Sequence, residues 1–177
     1  KLQAALRARR RRRLNKDKSN RIGIRQVVAN EKLRDTDCLY NEVDVLLSAT
    51  RRLESLFRNK WTVGELVAFH TREKLLLLAH DRSIYERLGR LVASAKTLQP
   101  DEVENQYKRL FLAGLKQTAT SGTHANALMH IEGYFKKFLD DDERREVHNL
   151  IESYRQKRVP LRAPLTLLCQ HARKHRI

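Results

Sequence analysis

The 177-residue chain carries 37 Lys and Arg against 21 Asp and Glu, a formal net charge of +16, with 41% hydrophobic residues. That is one domain's worth of chain with an ordinary core, and so basic a balance favours an anionic partner. The two cysteines, Cys38 and Cys169, build neither a disulfide framework nor a CxxC zinc pattern, and no apolar run approaches the roughly 20 residues that span a bilayer. Reduced thiols in an intracellular setting, cytoplasmic or mitochondrial, with no membrane partner, are the expectation.

Residues 1–42 read as a basic arm and connector. Residues 1–25 hold eleven Lys or Arg against one acid, Asp17, so +10 of the charge sits there. Arg9, Arg10, Arg11, Arg12 and Arg13 are consecutive, and Lys16, Lys18 and Arg21 follow. Like charges at successive positions repel and leave little to bury, so the arm is expected to be extended and to order on an anionic partner. An Arg-rich transit peptide is the competing reading.

Residues 43–177 read as a helical domain. Val43, Leu46, Leu47, Leu53, Leu56 and Phe57 give the first amphipathic stripe, with Asn59 as its stop. Thr62-x-x-Glu65 is a capping box opening a second helix, whose run Leu75 to Leu78 covers more than one face and predicts a central, buried element. Ser83-x-x-Glu86 predicts a third start. Pro100, with Asp101 and Glu102, suits the first turn of a fourth helix. Ser121-Gly122-Thr123 is expected to break the chain and cap a fifth, and the acids Asp140 to Glu143 to open a sixth. Pro160 and Pro164 predict an extended link before a short helix from Leu165 to about His175. Strand alternation is nearly absent. The expected fold is all-α, a compact bundle of about six to seven helices with a basic, extended N-terminal arm.

Three strings carry a resemblance. Leu66-Val67-Ala68-Phe69-His70-Thr71-Arg72-Glu73-Lys74-Leu75-Leu76-Leu77-Leu78-Ala79-His80, with Tyr85-x-x-Leu88-Gly89-Arg90-Leu91-Val92, resembles the opening of the YbgA-like domain family. Ala119-Thr120-x-x-Thr123-His124-x-Asn126-x-Leu128-x-His130-Ile131-x-Gly133-Tyr134-Phe135-Lys136 resembles its central motif, and Val159-Pro160-Leu161-x-Ala163-Pro164-Leu165-Thr166-Leu167-Leu168 its closing one. The match covers residues 61–171 and leaves 1–60 outside. The resemblance implies a domain that occurs alone or fused behind an iron–sulfur desulfidase acting on thiolated uracil, where it helps bind thiolated tRNA. The cluster-binding cysteines of that desulfidase are absent from this sequence.

His70, Glu73 and Lys74, at i, i+3 and i+4, share a helix face. His70 and Lys74 could meet a phosphate or a base edge with Glu73 positioning them, or Glu73 only balances Arg72 and Lys74 on a wet face. His124 and Asn126, near a helix start, suit an anion, while His124 as a local cap and His130 as a satisfied, semi-buried histidine are the plainer readings. Six residues turn His124 and His130 apart, which argues against joint metal ligation. No Glu-x-x-His pair exists for a di-iron bundle. Lys136, Lys137, Arg158 and Arg162 extend the basic set, and from Arg155 onward seven Lys or Arg meet no acid. Trp61 and Tyr134 are the base-stacking candidates. Cys169-Gln170-His171 reads as incidental.

No catalytic residue, metal or cofactor is expected. The function expected is an RNA-binding helical module that recognises structured RNA, tRNA or rRNA, through phosphate contacts. Two alternatives stand beside it. One is a structural subunit of a large ribonucleoprotein such as a mitochondrial ribosome, with ribosomal proteins as partners. The other is a tRNA thiouridine desulfuration enzyme or its accessory domain, partnered by a desulfidase domain, with His70, His124 and His130 as the residues to test.

Overall fold

The computed structural model describes residues 42–176, with side chains from Val45 onward. Among these, seven helices follow one another: α1 Glu42–Phe57, α2 Val63–His80, α3 Arg82–Ser94, α4 Pro100–Leu115, α5 Ser121–Phe135, α6 Asp141–Arg155 and α7 Arg162–Lys174. No strand occurs among the described residues, and none of the helices is long and apolar enough to cross a membrane. The arm residues Arg9 to Arg13, Lys16, Lys18 and Arg21 lie outside the described residues, as does the side chain of Val43.

Helix α2 is the axis of the molecule, packing on α1, α3, α4 and α5. Three leucines of its run explain how: Leu76 and Leu77 join one apolar cluster, and Leu75 another. The first cluster is built by α1 to α4 around Leu53, Leu88, Val103, Tyr107 and Phe111. The second is built by α5 to α7 around Leu128, Phe135, Ile151 and Leu168. Each fully buried Leu or Phe stabilises by about 1.5–3 kcal/mol, so a helix that feeds both clusters welds them.

Local chemistry sets most helix starts. Thr62 and Glu65 form the expected box: the Glu65 amide donates to Thr62 Oγ1 at 3.2 Å, and the Thr62 amide donates back to Glu65 Oε2 at 2.7 Å. Asp140 and Glu143 do the same for α6, and Pro100 occupies the first turn of α4. Three boundaries differ from the sequence reading. Helix α3 is capped by Asp81, whose carboxylate accepts from the Ile84 amide at 2.9 Å; its own amide closes α2 on the Leu77 carbonyl at 2.7 Å. One extended residue thus ends one helix and begins the next. Ser83 falls inside the first turn, and Glu86 instead pairs with Arg82 at 2.9 Å. Helix α5 is capped by Thr120 in a reciprocal box with Thr123, which puts Ser121 and Gly122 in the first turn rather than before it. Helix α7 begins at Arg162 and includes Pro164, since a first-turn amide has no intrahelical acceptor to lose.

The largest departure concerns Glu73. It does not lie on a wet face but is 1% exposed. Arg52 of α1 grips it with both prongs, Nε to Oε1 at 2.7 Å and Nη2 to Oε2 at 2.9 Å. His80 is buried as well, its Nδ1 donating to the Gln117 carbonyl at 2.7 Å, which ties the end of α2 to the turn after α4.

Removing one partner of a buried pair strands the other charge, at a cost of about 3–5 kcal/mol, whereas replacing both with apolar groups is often neutral. Arg52→Met is therefore expected to lower the unfolding free energy by about 3 kcal/mol, and Arg52→Met combined with Glu73→Met to recover most of it. Urea titrations of the two variants check this; a single variant as stable as the parent would contradict it.

Candidate nucleic-acid interface

Three helices of the bundle each bring an i, i+4 pair to one place: His70 and Lys74 from α2, Tyr85 and Gly89 from α3, His130 and Tyr134 from α5. Residues four apart point the same way along a helix, so each pair presents a short ridge. The His70 ring stacks on the Tyr85 ring at 5.5 Å between centroids and 4° between planes. The Lys74 ammonium sits over the Tyr134 ring, 4.8 Å from its centroid. Gly89 faces the imidazole, and a Cβ there would make an ordinary van der Waals contact with His70 Nε2 at 3.7 Å.

The core fixes this surface from below. His70 Nδ1 is 3.1 Å from the hydroxyl of Tyr107, a fully buried residue of α4. Burial, and then the neighbouring Glu73 carboxylate, hold the Tyr107 phenol far above its ordinary ionisation range, so it stays a neutral donor. Burial first and the Lys74 charge second push His70 down to about 4. His70 is thus a neutral, half-buried ring at neutral pH and cannot serve there as a cationic phosphate ligand. Its geometry suits stacking and neutral hydrogen bonding.

Lys74 is itself half-buried, and burial lowers its pKa. Burial and then proximity to Tyr85 push Tyr134 up to about 12. His130 is exposed; burial of part of its ring lowers its pKa, with Arg82 and then Lys74 adding to the effect. Arg82 and Lys74 therefore both act on His130, and the patch combines cations with aromatic faces.

The remaining expected residues are spread around the bundle. Arg72 is exposed on α2. His124 turns inward, its Nδ1 2.8 Å from the Tyr154 hydroxyl of α6, so it joins two helices instead of capping α5. Asn126 is half-buried. Lys136 and Lys137 are exposed just after α5, and Lys136 helps line an open groove between α5 and α6 with Gly133, Arg144, Arg145 and His148. Arg158 and Arg162 are exposed in and after the turn where Lys157 adopts φ 60°. Trp61 is half-buried; its indole N–H donates to Glu104 at 3.1 Å and its ring meets Phe57 edge-on at 5.5 Å, so it clasps α1 to α4. Tyr85, which the sequence brings up only within the family string, is the ring of the patch that sequence reasoning did not single out, and its four-residue spacing to Gly89 was the available signal.

His70 makes stability depend on pH. Its folded pKa is depressed, so the unfolded chain binds the extra proton between about pH 6.5 and 4, and stability rises with pH across that window. The contribution is complete above the unfolded value, and about 2 kcal/mol of it is lost by pH 5. Urea midpoints at pH 7.5 and 5 are expected to differ more for the parent than for His70→Gln. Equal differences in the two proteins would contradict the buried, neutral ring.

A family model described as "Protein of unknown function (DUF1722)" matches residues 74–177. The uncharacterized protein YbgA of Escherichia coli (strain K12) is 38% identical over 122 residues, which cover 68% of this chain and 72% of that protein. No solved structure matches the chain significantly.

Proposed function

The chain belongs to the DUF1722 family, and we propose that its helical bundle is an RNA-binding module without catalysis of its own. The observation that carries this reading is the patch in which the Lys74 ammonium covers Tyr134 while His70 lies flat on Tyr85. Unpaired bases of a structured RNA stack on aromatic and imidazole planes, and the flanking cations meet the adjoining phosphates. Arg82 and Lys74 supply charge at the patch, and Lys136 adds a further cation at the groove between α5 and α6, where Arg144 and Arg145 pair with Asp141 and Asp142.

The net charge of +16 supports the same reading, because counterion release from phosphates favours so basic a chain. RNA is favoured over duplex DNA because the patch is short and mixes cations with aromatic rings, the chemistry that meets unstacked bases. The kinship implied by the central motif, to domains fused behind thiouracil desulfidases, names tRNA as the first RNA to test.

Fluorescence anisotropy with end-labelled tRNA tests the proposal. The full chain is expected to bind with an affinity that falls steeply between low and physiological salt. Lys74→Gln combined with Tyr134→Ala is expected to weaken binding by about 10- to 100-fold, the equivalent of one lost stacked base and its phosphate contact. Thermal melts of the variant confirm folding. Parent-like affinity in a folded double variant would overturn the proposal.

A further inference from the structure

A second cluster lies away from the patch, where α7 docks on the start of α6. His171 in the last turn of α7 and His175, its C-cap residue, are four residues apart, their rings stacked 6.3 Å apart at 21°. Glu143, in the first turn of α6, reaches both: its Oε1 is 3.6 Å from His171 Nδ1, and its Oε2 is 3.7 Å from His175 Nε2. One ligand atom from each of the three residues lies within 4.8 Å of the other two. The geometry points to a site for a divalent transition-metal cation, Zn²⁺ by ligand type, held by Glu143, His171 and His175 and completed by water.

The surroundings of the imidazoles argue for it. His171 is 7% exposed, and its Nε2 has no hydrogen-bond partner. His175 Nε2 is likewise buried and unpartnered, and it is the nitrogen that faces the carboxylate. Buried polar atoms without partners are rare because each costs about 1–3 kcal/mol of desolvation. A metal bound to His175 Nε2 would remove that deficit directly.

Spacing and chemistry agree. Two histidines four apart on a helix with a carboxylate from another element form a two-nitrogen, one-oxygen set, the ligand type of open zinc sites. Metal–ligand bonds of about 2.0–2.2 Å place tetrahedral donors roughly 3.3–3.6 Å apart. Each oxygen of the carboxylate already lies near that distance from one imidazole, Oε1 at 3.6 Å from His171 Nδ1 and Oε2 at 3.7 Å from His175 Nε2.

The competing cation is Lys174. Its Nζ is 2.5 Å from Glu143 Oε1, while the Asp140 amide donates to Oε2 at 3.1 Å. The Lys174 side chain is 63% exposed, so it can swing into solvent as the metal enters. Binding would replace this surface ion pair by a clip that pins α7 to α6.

The test is Co²⁺ titration of the full, untagged chain, read by visible absorption and followed by Zn²⁺ displacement. One equivalent of Co²⁺ is expected to give the d–d bands of a low-coordinate site, and Zn²⁺ to bleach them. Glu143→Gln keeps an acceptor for the Asp140 amide, and His175→Gln keeps a polar side chain on the docking face. Each is expected to weaken Co²⁺ binding by about tenfold or more, since even outer-shell losses cost that much. Lys174→Ala is expected to tighten it. Zn²⁺ is expected to raise the melting temperature of the parent and not of His175→Gln. Absence of the bands, bands unchanged in His175→Gln, or weaker binding by Lys174→Ala would each overturn the site.

Discussion

The fold and the patch both depend on one buried carboxylate. Glu73 sits in the middle of the central helix, and the two charge-assisted bonds from Arg52 offset the cost of removing it from water. Burial first, and then the field of Glu73, keep Tyr107 a neutral phenol. Tyr107 meets His70, and His70 lies on Tyr85. A continuous set of contacts therefore runs from α1 through α2 and α4 to α3. It ends at the surface in two stacked rings whose positions are set by groups deep in the first apolar cluster.

That arrangement separates two jobs that the sequence seemed to give to one residue type. His70, held near pKa 4 by burial and by Lys74, stays neutral. Charge at the patch comes from Lys74 and Arg82, and stacking area from His70, Tyr85 and Tyr134. A cation over a ring contributes about 0.5–2 kcal/mol depending on its desolvation, and here it also holds the Lys74 side chain in place before any partner arrives. Preorganised rings lose less rotamer freedom on binding than free ones, which favours a module that recognises exposed bases without reading long sequences.

Much of the fold was legible because helix starts are local chemistry. The Thr62 box, the Asp140 start and Pro100 each follow from a few adjacent residues. The misplaced starts of α3 and α5 share one cause: where capping residues crowd together, as at Asp81 and Ser83 or Thr120 and Ser121, only the backbone's actual exit angle selects between them. Glu73 was illegible for a different reason. Flanked by Arg72 and Lys74 it reads as wet, and only the arrival of Arg52 from 21 residues earlier makes it an interior residue. The patch was half legible. His70, Lys74 and Tyr134 were each singled out, yet nothing in one-dimensional spacing says that three helices bring their pairs together. The His171–His175 spacing was visible in the sequence, but the carboxylate that gives it meaning comes from another helix.

The most direct measurement of the central claim is a ring-selective NMR titration of the full chain with tRNA, following histidine and tyrosine side-chain resonances. The account predicts that the signals of His70, Tyr85, His130 and Tyr134 shift together and saturate together, while the Trp61 indole on the α1–α4 side stays put. Shifts confined to residues remote from α2, α3 and α5, with the four patch rings unmoved at saturation, would contradict it.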